Sequence, residues 1–257
     1  MRSGDSMPNM LTQELMCALD PVAWACEVLG FDPDGWQADV LRSRSPRILL
    51  NCCRQSGKST IASIMALHRA VFRPGSLVLL LSPSLRQSSE LFKKVVMFHR
   101  ELGETSKPES ISSLRLELPN RSRIVSLPGK EATVRGFSGA SLLIIDEAAR
   151  VPDDLYYSVR PMLAVSRGRM IALSTPFGTR GWWYDAWMNG LEWERWEIPA
   201  SKCPRISPEF LDEERKVLGS FWFEQEYNCK FIDSQTCAFR REDLERLFSN
   251  EIEEWDI

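Results

Sequence analysis

The sequence predicts an α/β domain in which a mostly parallel sheet is covered by helices on both faces. Two observations lead to this fold class. Short apolar runs recur along the chain, and stretches with apolar residues at helical spacing follow them. With 257 residues, of which 44% are hydrophobic, the chain is long enough for one large domain or a domain with a smaller appendage.

The first predicted strand covers the sequence RILLNCC, residues 47–53, and a helix follows from Lys58 to Phe72. One side of this helix is apolar, because its large side chains recur three or four residues apart. That side consists of Ile61, Ile64, Met65, His68 and Phe72. Pro74 and Gly75 end the helix, since neither residue favours its continuation.

Three further apolar runs predict strands that are buried on both faces. They are LVLLLS, SLLIID and RMIALS, which cover residues 77–82, 141–146 and 169–174. The helix predicted after the first of them carries Leu91, Val95, Phe98 and Leu102 at spacings of four, three and four. The alternating sequences LRLEL and SRIVSL, on either side of Pro119 and Asn120, predict a β-hairpin inserted into the sheet.

The composition changes after residue 203. The sequences SPEFLDEERKVLG and SFWFEQEYNCKF are rich in charged residues and predict helices. We therefore expect a main domain in residues 1–203 and a small helical linker subdomain in residues 204–257. The last residues, NEIEEWDI, have the composition of a linker that precedes a further domain.

The net charge of −3 excludes a chain that binds nucleic acid through its overall charge. Two local segments are basic: RSRSPR, residues 42–47, and SRGRM, residues 166–170. Each is either a solvated turn before a strand or part of a basic face. The apolar runs are far shorter than the roughly 20 residues needed to cross a bilayer. The two histidines of the chain are too few to support a zinc site.

The segment NCCRQSGKST, residues 51–60, contains the second half of a phosphate-binding loop, G-x-x-x-x-G-K-[ST], with Cys52 in place of the first glycine. Such a loop presents backbone N–H groups to phosphate oxygens at a helix N-terminus. Its lysine reaches the β- and γ-phosphates of ATP, and the hydroxyl after it ligates Mg²⁺. The predicted ATP-binding residues of the loop are Arg54, Gln55, Ser56, Gly57, Lys58, Ser59 and Thr60.

Two adjacent acids, Asp146 and Glu147, follow the apolar run LLII. At the tip of a buried strand, Asp146 is expected to hold Mg²⁺ together with Ser59. Glu147 is the predicted general base that polarises the attacking water. A helix N-cap with its first turn is the structural alternative for two such acids, but the phosphate loop upstream favours the catalytic interpretation.

Phosphoryl transfer also needs a cation on the γ-phosphate, and two arginines are candidates. Arg54 lies inside the loop and could act in cis. Arg135, in TVRGFSGAS, stands beside Gly136 and is better placed to reach the site of a neighbouring subunit, unless it is an ordinary exposed arginine. The spacing of these residues does not decide between them.

The sequence ALSTPFG follows the fourth predicted strand. Ser174 and Thr175 place hydroxyls where they can sense the γ-phosphate, and Pro176 forces the chain out of the sheet. The segment is either a coupling element between hydrolysis and movement or a simple strand-ending turn. Upstream, in FDPDGWQADVL, Gln37 is the candidate that reads the adenine edge, whereas Trp36 is expected in the core.

The loop, the acids and the hydroxyls all follow predicted parallel strands. Ligands of such sheets bind beyond the carboxyl ends of the strands. We therefore expect the three stretches to meet at one edge of the sheet.

This combination resembles the large terminase subunits of tailed double-stranded DNA bacteriophages. RQSGKST matches the phosphate loop of this family, which deviates from the common pattern and has an arginine inside it. LLIIDEAA resembles the acidic strand of the family, and STPFG resembles its coupling motif. GWQ resembles the segment with the glutamine on the adenine side. The resemblance covers roughly Gly35 to Gly178 and implies a P-loop NTPase of the RecA-like (ASCE) class. In this family Cys52 is tolerated and Arg54 belongs to the pattern.

The resemblance implies an ATPase motor that uses ATP and Mg²⁺ to drive double-stranded DNA into an empty capsid. Such motors assemble as a ring, usually a pentamer, on the portal protein of the procapsid. They work in the host cytoplasm with a small terminase subunit and no membrane, and an arginine in the context of Arg135 acts in trans. The family also carries a C-terminal nuclease, whose acidic cluster we do not find here. Arg167, Arg169 and Arg180 are candidates for contacts with DNA.

Two other functions share parts of this pattern. A superfamily 2 helicase or translocase has a similar loop, acidic strand and coupling motif, but it needs a second RecA-like domain, for which 257 residues leave no room. A nucleotide-controlled binding module would bind ATP without sustained turnover. A general base such as Glu147 argues against such a switch.

Overall fold

The computed structural model describes residues 10–103, 107–129 and 136–233. They form an eight-stranded, mostly parallel sheet with helices on both faces, as the sequence predicts. The strands are β1 (Arg47–Cys52), β2 (Leu77–Ser82), β3 (Ser110–Ile111), β4 (Arg115–Glu117), β5 (Arg123–Pro128), β6 (Leu142–Asp146), β7 (Arg169–Ser174) and β8 (Glu194–Ile198). Their order across the sheet is β3-β4-β5-β2-β6-β7-β1-β8.

The α-helices of the described residues lie before β1, in the connections between strands and after β8. They are α1 (Met10–Leu19), α2 (Pro21–Glu27), α3 (Gly35–Arg42), α4 (Lys58–Phe72), α5 (Leu85–Glu101), α6 (Asp153–Val159), α7 (Gly181–Asn189) and α8 (Pro208–Glu226). Side-chain caps define several of the starts, because an oxygen at the N-cap satisfies a free backbone N–H. Asp20, Ser84 and Ser207 cap α2, α5 and α8 in this way.

Neighbouring residues of the central strands point to opposite faces of the sheet, and both faces are buried. Ile48 and Leu50 of β1 belong to the core cluster under α4 and α5, whereas Leu49 between them belongs to the cluster under α6 and α7. Because helices cover both faces, the residues in the middle of such a strand are apolar on both sides. The continuous apolar runs of the sequence have this cause.

Several elements have the predicted bounds. α4, β2 and β7 begin and end at the residues that the sequence analysis gives. The hairpin prediction is also confirmed, since β4 and β5 pair antiparallel around the turn at 118–122, and β3 extends the antiparallel edge. Trp36 is buried in the core, as expected.

The sequence analysis did not predict β8, which pairs in parallel with β1 at the opposite edge of the sheet. Three of the five residues of its sequence, ERWEI, are charged, and only Ile198 of the strand is buried. Charged residues are typical of edge strands, where they oppose pairing with another sheet. A short, charged strand of this kind lacks the apolar run on which the prediction depends.

The segment after residue 203 contains α8 and the residues that follow it. Gly219, with a φ of 72°, interrupts α8 between the two predicted helical sequences, in a backbone conformation that favours glycine. Phe223, Tyr227 and Cys229 join the core cluster under α4 and α5. The division at 203/204 stays a prediction.

Two features of the sequence analysis, Arg135 and the tail NEIEEWDI, lie outside the described residues. Within the described ranges, no helix has both the length and the apolar character needed to cross a membrane.

Candidate nucleotide-binding and catalytic site

The three polar stretches that follow parallel strands meet at one edge of the sheet, as predicted. β6, β7 and β1 are neighbours, with Asp146 opposite Leu173 and Asn51 opposite Ser174 in the strand register. The loop after β1, the acids after β6 and the hydroxyls after β7 therefore leave the sheet side by side. A cavity of about 470 Å³ opens there, lined by residues 54–60 and by Phe31, Gln37, Lys94, Glu147 and Arg205.

The loop between β1 and α4 has the shape of an anion cradle. Gln55 and Gly57 have positive φ values of 59° and 89°, and Gly57 is the N-cap of α4. The backbone N–H groups of Gln55 to Ser59 donate no hydrogen bond to any residue that the structure describes. Free N–H groups at a helix N-terminus attract phosphate oxygens.

Gly57 is required at its position for a second reason, which is space. A Cβ atom built there would lie 2.8 Å from Nε2 of Gln37 and 2.9 Å from an Nη atom of Arg205. Real Cβ atoms do not approach other atoms so closely, so any side chain here would push the two residues away from the loop. The glycine lets Gln37 and Arg205 close over it.

The lysine of the loop pairs with the second acid. Nζ of Lys58 lies 3.1 Å from Oε1 of Glu147, and both side chains are mostly buried. Burial alone lowers the pKa of Lys58, but the charges of Glu147 and Asp146 outweigh it and raise the pKa above its ordinary value. Lys58 is therefore a buried cation that two carboxylates keep charged.

The first acid stands where a metal ion would be held. Oδ2 of Asp146 lies 3.4 Å from Oγ of Ser59, and Oδ1 accepts a hydrogen bond from the backbone N–H of Glu147 at 3.0 Å. Burial raises the pKa of Asp146 to about 6, while Lys58 opposes this rise. The carboxylate is thus costly to ionise without a cation beside it.

Glu147 has a strained backbone. It adopts the left-handed conformation, with φ 51° and ψ 44°, which is unfavourable for a residue with a side chain. This conformation ends β6 and starts a 3-10 turn at Ala148–Arg150. The sharp bend directs the Glu147 side chain to Lys58 and the loop.

The far wall of the cavity comes from the segment before β1 and from Arg205. Gln37 is fully buried, accepts a hydrogen bond from the Asp34 backbone N–H at 2.9 Å and donates to the Ser56 carbonyl at 3.4 Å. Arg205 donates to the same carbonyl at 2.9 Å and forms an ion pair with Asp34 at 2.9 Å. Both residues thus tie the loop to the segment around Asp34.

The Arg54 side chain pairs with an acid at the end of α8. Its Nε lies 2.9 Å from Oε2 of Glu226 at the end of α8, and its backbone N–H donates to the Glu226 carbonyl. Two-thirds of its side chain is exposed. The loop is therefore attached to the last turn of α8 at this residue.

The hydroxyl segment leaves the sheet beside the loop. Ser174 and Thr175 are buried, and Oγ of Ser174 has no hydrogen-bond partner among the described residues. Farther along, the Arg150 guanidinium lies over the Phe177 ring at 4.2 Å, and the Thr179 hydroxyl bonds to Asp233. The segment after Pro176 thus contacts both the turn after Glu147 and the chain after α8.

Sequence reasoning missed Arg205, Phe31, Lys94 and Glu226. Phe31 lies six residues before Gln37 in the same turn-rich segment, and its aromatic ring is a signal that could have been used. Lys94 and Arg205 carry no local signal, because a single basic residue on a helix or beside a proline is ordinary. Only the folded chain brings them to the loop.

The residues present fit a nucleotide triphosphate with Mg²⁺. Free loop N–H groups and Lys58 suit the phosphates, while the Ser59 hydroxyl and Asp146 carboxylate are hard oxygen ligands. No cluster of three or more metal-binding side chains occurs in the described ranges. Mg²⁺ is held in proteins by one or two carboxylates and otherwise by phosphate and water.

Fold and site together define the chain as a P-loop NTPase with a mixed, mostly parallel sheet. Residues 49–246 match the family model described as "Terminase large subunit, T4likevirus-type, N-terminal". The chain belongs to this family.

Similar proteins agree with this assignment. The large terminase subunit of Thermus phage G20c is 28% identical in an alignment of 258 positions that covers 85% of this chain and 52% of the relative. The chain thus spans about half the length of the curated relatives it matches. The large terminase ATPase domain of Thermus phage P74-26 matches with a TM-score of 0.75 and 25% identity over 83% of this chain and all of that one. The HK97 bacteriophage large terminase shares the fold, with a TM-score of 0.67, 16% identity and coverage of 83% and 55%.

Proposed function

We propose that this chain is the ATPase motor of a phage large terminase, which hydrolyses ATP with Mg²⁺ to move double-stranded DNA into a capsid. The observation that carries the proposal is the cluster of Lys58, Glu147, Asp146 and Ser59 at the loop. The family membership supports it. The similar protein of Thermus phage P74-26 is a large terminase ATPase domain, which points the same way.

Each residue of the cluster has a role in this proposal. The backbone N–H groups of residues 55–59 and the Lys58 ammonium hold the β- and γ-phosphates. Ser59 and Asp146 hold Mg²⁺, which when bound neutralises charge on the phosphate oxygens. Glu147 orients the attacking water and accepts its proton. Before it can do so, its ion pair with Lys58 must give way to one between Lys58 and phosphate.

Gln37 and Phe31 are the candidates for the adenine end of the nucleotide. Gln37 already has its amide oxygen on the Asp34 N–H and its amide nitrogen near the Ser56 carbonyl. A bound base would compete for these bonds or use the lone pair and the hydrogen that remain. Arg205 and Thr60 complete the proposed nucleotide site.

Arg54 and Arg135 are both candidates for the cation that stabilises the transition state. Arg54 would have to leave Glu226 to reach a γ-phosphate bound at Lys58, which links its function to the position of α8. Arg135 would act on a neighbouring subunit, which requires assembly in a ring. Ser174, Thr175 and Pro176 would transmit loss of the γ-phosphate, since they lie between the loop and the segment that reaches Asp233.

The partners proposed from the family are the portal protein and procapsid, a small terminase subunit, other copies of this chain in a ring, and double-stranded DNA. The host cytoplasm and the portal vertex are the proposed locations. We keep residues 204–257 as a proposed linker subdomain and propose that the nuclease lies outside this chain.

The test is ATP turnover by the wild-type chain and by Glu147→Gln. We expect the variant to bind nucleotide and to lose turnover by about 10²- to 10⁴-fold, because general bases contribute this much. Glu213→Gln, on the exposed face of α8, is the matched control. Undiminished turnover in Glu147→Gln would overturn the proposed catalytic role.

The same assay at rising protein concentration separates the two arginines. We expect turnover per subunit to rise with concentration, because Arg135 would complete the site of a neighbour. Turnover that is measurable but flat would contradict the trans role and favour Arg54.

A further inference from the structure

The two basic segments of the sequence, residues 42–47 and 166–170, meet in the folded protein at the amino ends of the parallel strands. The nucleotide site lies at the opposite, carboxyl ends. Nε and Nη2 of Arg169 donate to the carbonyls of Ser45 and Ser43, at 3.0 and 2.9 Å. β7 and β1 are neighbours, so the starts of both strands lie side by side. This arrangement is not used by the proposed ATPase chemistry.

A cavity of about 520 Å³ opens at this edge. The C-terminal half of α4 and the segments around Asp20 and Ser43 form its walls, and Leu142 and Arg169 form its floor at the starts of β6 and β7. Five arginines line it, against one carboxylate, that of Asp20. They are Arg42, Arg44, Arg69, Arg73 and Arg169.

Among the described residues, only one of these arginines has a carboxylate within ion-pair distance. Arg42 forms a two-pronged ion pair with Asp20, with a shortest distance of 2.7 Å, and so neutralises the single acid of the cavity. Arg44, Arg69 and Arg73 form no side-chain hydrogen bond or ion pair with any described residue. The described residues that line the cavity therefore carry a net positive charge.

The helix end does not account for Arg69 and Arg73. Basic residues near a helix C-terminus commonly bind its free carbonyl groups. Here the side chain of Asn120 donates to the carbonyls of Ala70 and Val71, and Ser122 donates to that of Arg73. The turn between β4 and β5 thus satisfies these carbonyls, and the guanidinium groups remain available.

The environment of the arginines is unfavourable without an anion. Burial and the charge of Arg73 lower the pKa of Arg69. Burial, followed by the charge of Arg69, lowers the pKa of Arg169 to about 10. Cations that are half-buried beside one another gain more from an anion than exposed cations do.

We propose that this cavity is a second, phosphate-binding site, which takes a ligand with at least two phosphate groups. Guanidinium groups bind phosphate through paired hydrogen bonds. The volume and the apolar wall of Leu41, Met65 and Phe72 exceed what a single inorganic phosphate needs. The phosphates belong either to a nucleic-acid backbone or to a free polyphosphate compound.

The site is separate from the nucleotide site but mechanically connected to it. Arg69 and Lys58 lie on the same helix, about 16 Å apart along its axis at 1.5 Å per residue. α4 thus carries the phosphate loop at one end and the arginine cavity at the other. The inference does not depend on hydrolysis, and its test measures binding directly.

The test variant is Arg69→Gln with Arg73→Gln, and the matched control is Arg121→Gln with Lys216→Gln, two exposed cations outside both cavities. Saturating ADP and Mg²⁺ occupy the phosphate loop. Calorimetry with inorganic tripolyphosphate then reports on the second site. We expect binding to the test variant to weaken about tenfold or more for each lost arginine–phosphate bond, and the control to bind like wild type.

A second measurement identifies the source of the phosphates. A fluorescent 20-base-pair DNA duplex is titrated at several salt concentrations. If the site binds DNA, the slope of log K against log salt should be less steep by about 2 in the test variant. The reason is that each arginine–phosphate contact contributes about 0.9 to the steepness. If tripolyphosphate binding is lost while DNA binding is unchanged, the ligand is a free polyphosphate compound.

Equal tripolyphosphate and DNA binding by the test variant, the control and wild type would overturn the proposal. Circular dichroism checks that the variants fold. If the double variant does not fold, Arg44→Gln provides an independent test. Arg44 is exposed and its side chain makes no bond to the described residues, so its substitution should not impair folding. It should weaken tripolyphosphate binding in the same direction.

Discussion

The two ends of α4 differ in how they balance charge. At its N-terminus, Lys58 pairs with Glu147, and Arg205 pairs with Asp34. At its C-terminus, Arg69 and Arg73 face a cavity without any carboxylate partner among the described residues. In the nucleotide site, the cations are paired with carboxylates of the protein, and a ligand must displace these carboxylates. In the arginine cavity, an anion can bind Arg69 and Arg73 without displacing a carboxylate of the described residues.

This difference predicts how each end responds to mutation. A site with internal ion pairs leaves an uncompensated buried charge when one partner is removed, so stability and function change together. A site without internal partners loses ligand binding but little stability. Variants at the N-terminal end of α4, where the charges are paired, test this difference.

The largest effect is expected for Lys58→Met. Turnover should fall by about 10³-fold, because the γ-phosphate loses its main cation. The free energy of unfolding should fall by about 3 kcal/mol at pH 7.5, because Asp146 and Glu147 are left without their shared partner. Urea denaturation of the nucleotide-free protein measures this change.

The matched double variant Lys58→Met with Glu147→Gln should regain much of that stability without regaining turnover. If the double variant is as unstable as the single one, the Lys58–Glu147 pair is not the cause of the loss. Internal charge balance would then not distinguish the two ends of α4.

The second prediction concerns Asp146→Asn, which removes the buried charge and keeps the shape. One pKa unit corresponds to about 1.4 kcal/mol, so the nucleotide-free variant should gain up to about 3 kcal/mol of stability at pH 7.5. Its Mg²⁺-dependent turnover should be lost. Asp212→Asn, on exposed α8, is the control and should change neither quantity.

The pH dependence has a defined sign. Because the pKa of Asp146 is raised to about 6, the folded protein binds its proton more tightly than the unfolded chain does. This contribution to stability is complete below the unfolded pKa and is lost as the pH rises through about 6. The wild-type free energy of unfolding should therefore fall over this range relative to Asp146→Asn, and parallel curves would contradict the assignment.

The smallest effect is expected for Arg205→Gln. It removes the bond to the Ser56 carbonyl and the ion pair with Asp34, but it leaves the catalytic acids in place. We expect the KM for ATP to rise by about tenfold, as for the loss of one charged hydrogen bond, with little change in kcat. Lys202→Gln, three residues earlier on an exposed turn, is the control.

An equal fall in kcat and kcat/KM for Arg205→Gln would place this arginine in the transition state instead. It would then be a third candidate for the cation that Arg54 and Arg135 are proposed to supply.

The local features of the site were predictable because they depend on neighbouring residues. Lys58 and Ser59 follow an apolar run and start an amphipathic helix, and Asp146 ends a second apolar run. The strand-end positions of these residues follow from their sequence alone. The rule that parallel strands share a carboxyl edge then brings them together.

Other contacts were not predictable, because they join residues far apart in the chain. Arg205 binds the carbonyl of Ser56 across 149 residues, and Arg54 meets Glu226 at the end of α8. Strand β8, which carries the chain to Arg205, has too many charges for its pairing with β1 to be predicted from its sequence. No spacing rule connects such positions.

The sequence by itself determined the apolar strands of the sheet, the phosphate loop and its two acids, since periodicity and strand-end chemistry are local properties. Only the tertiary structure decided the partners of the charges. It paired Lys58 with Glu147, turned Arg54 to Glu226, and brought Arg69 and Arg169 into one cavity. The physical reason is that an ion pair depends on distance in space, which the order of residues in the chain does not specify.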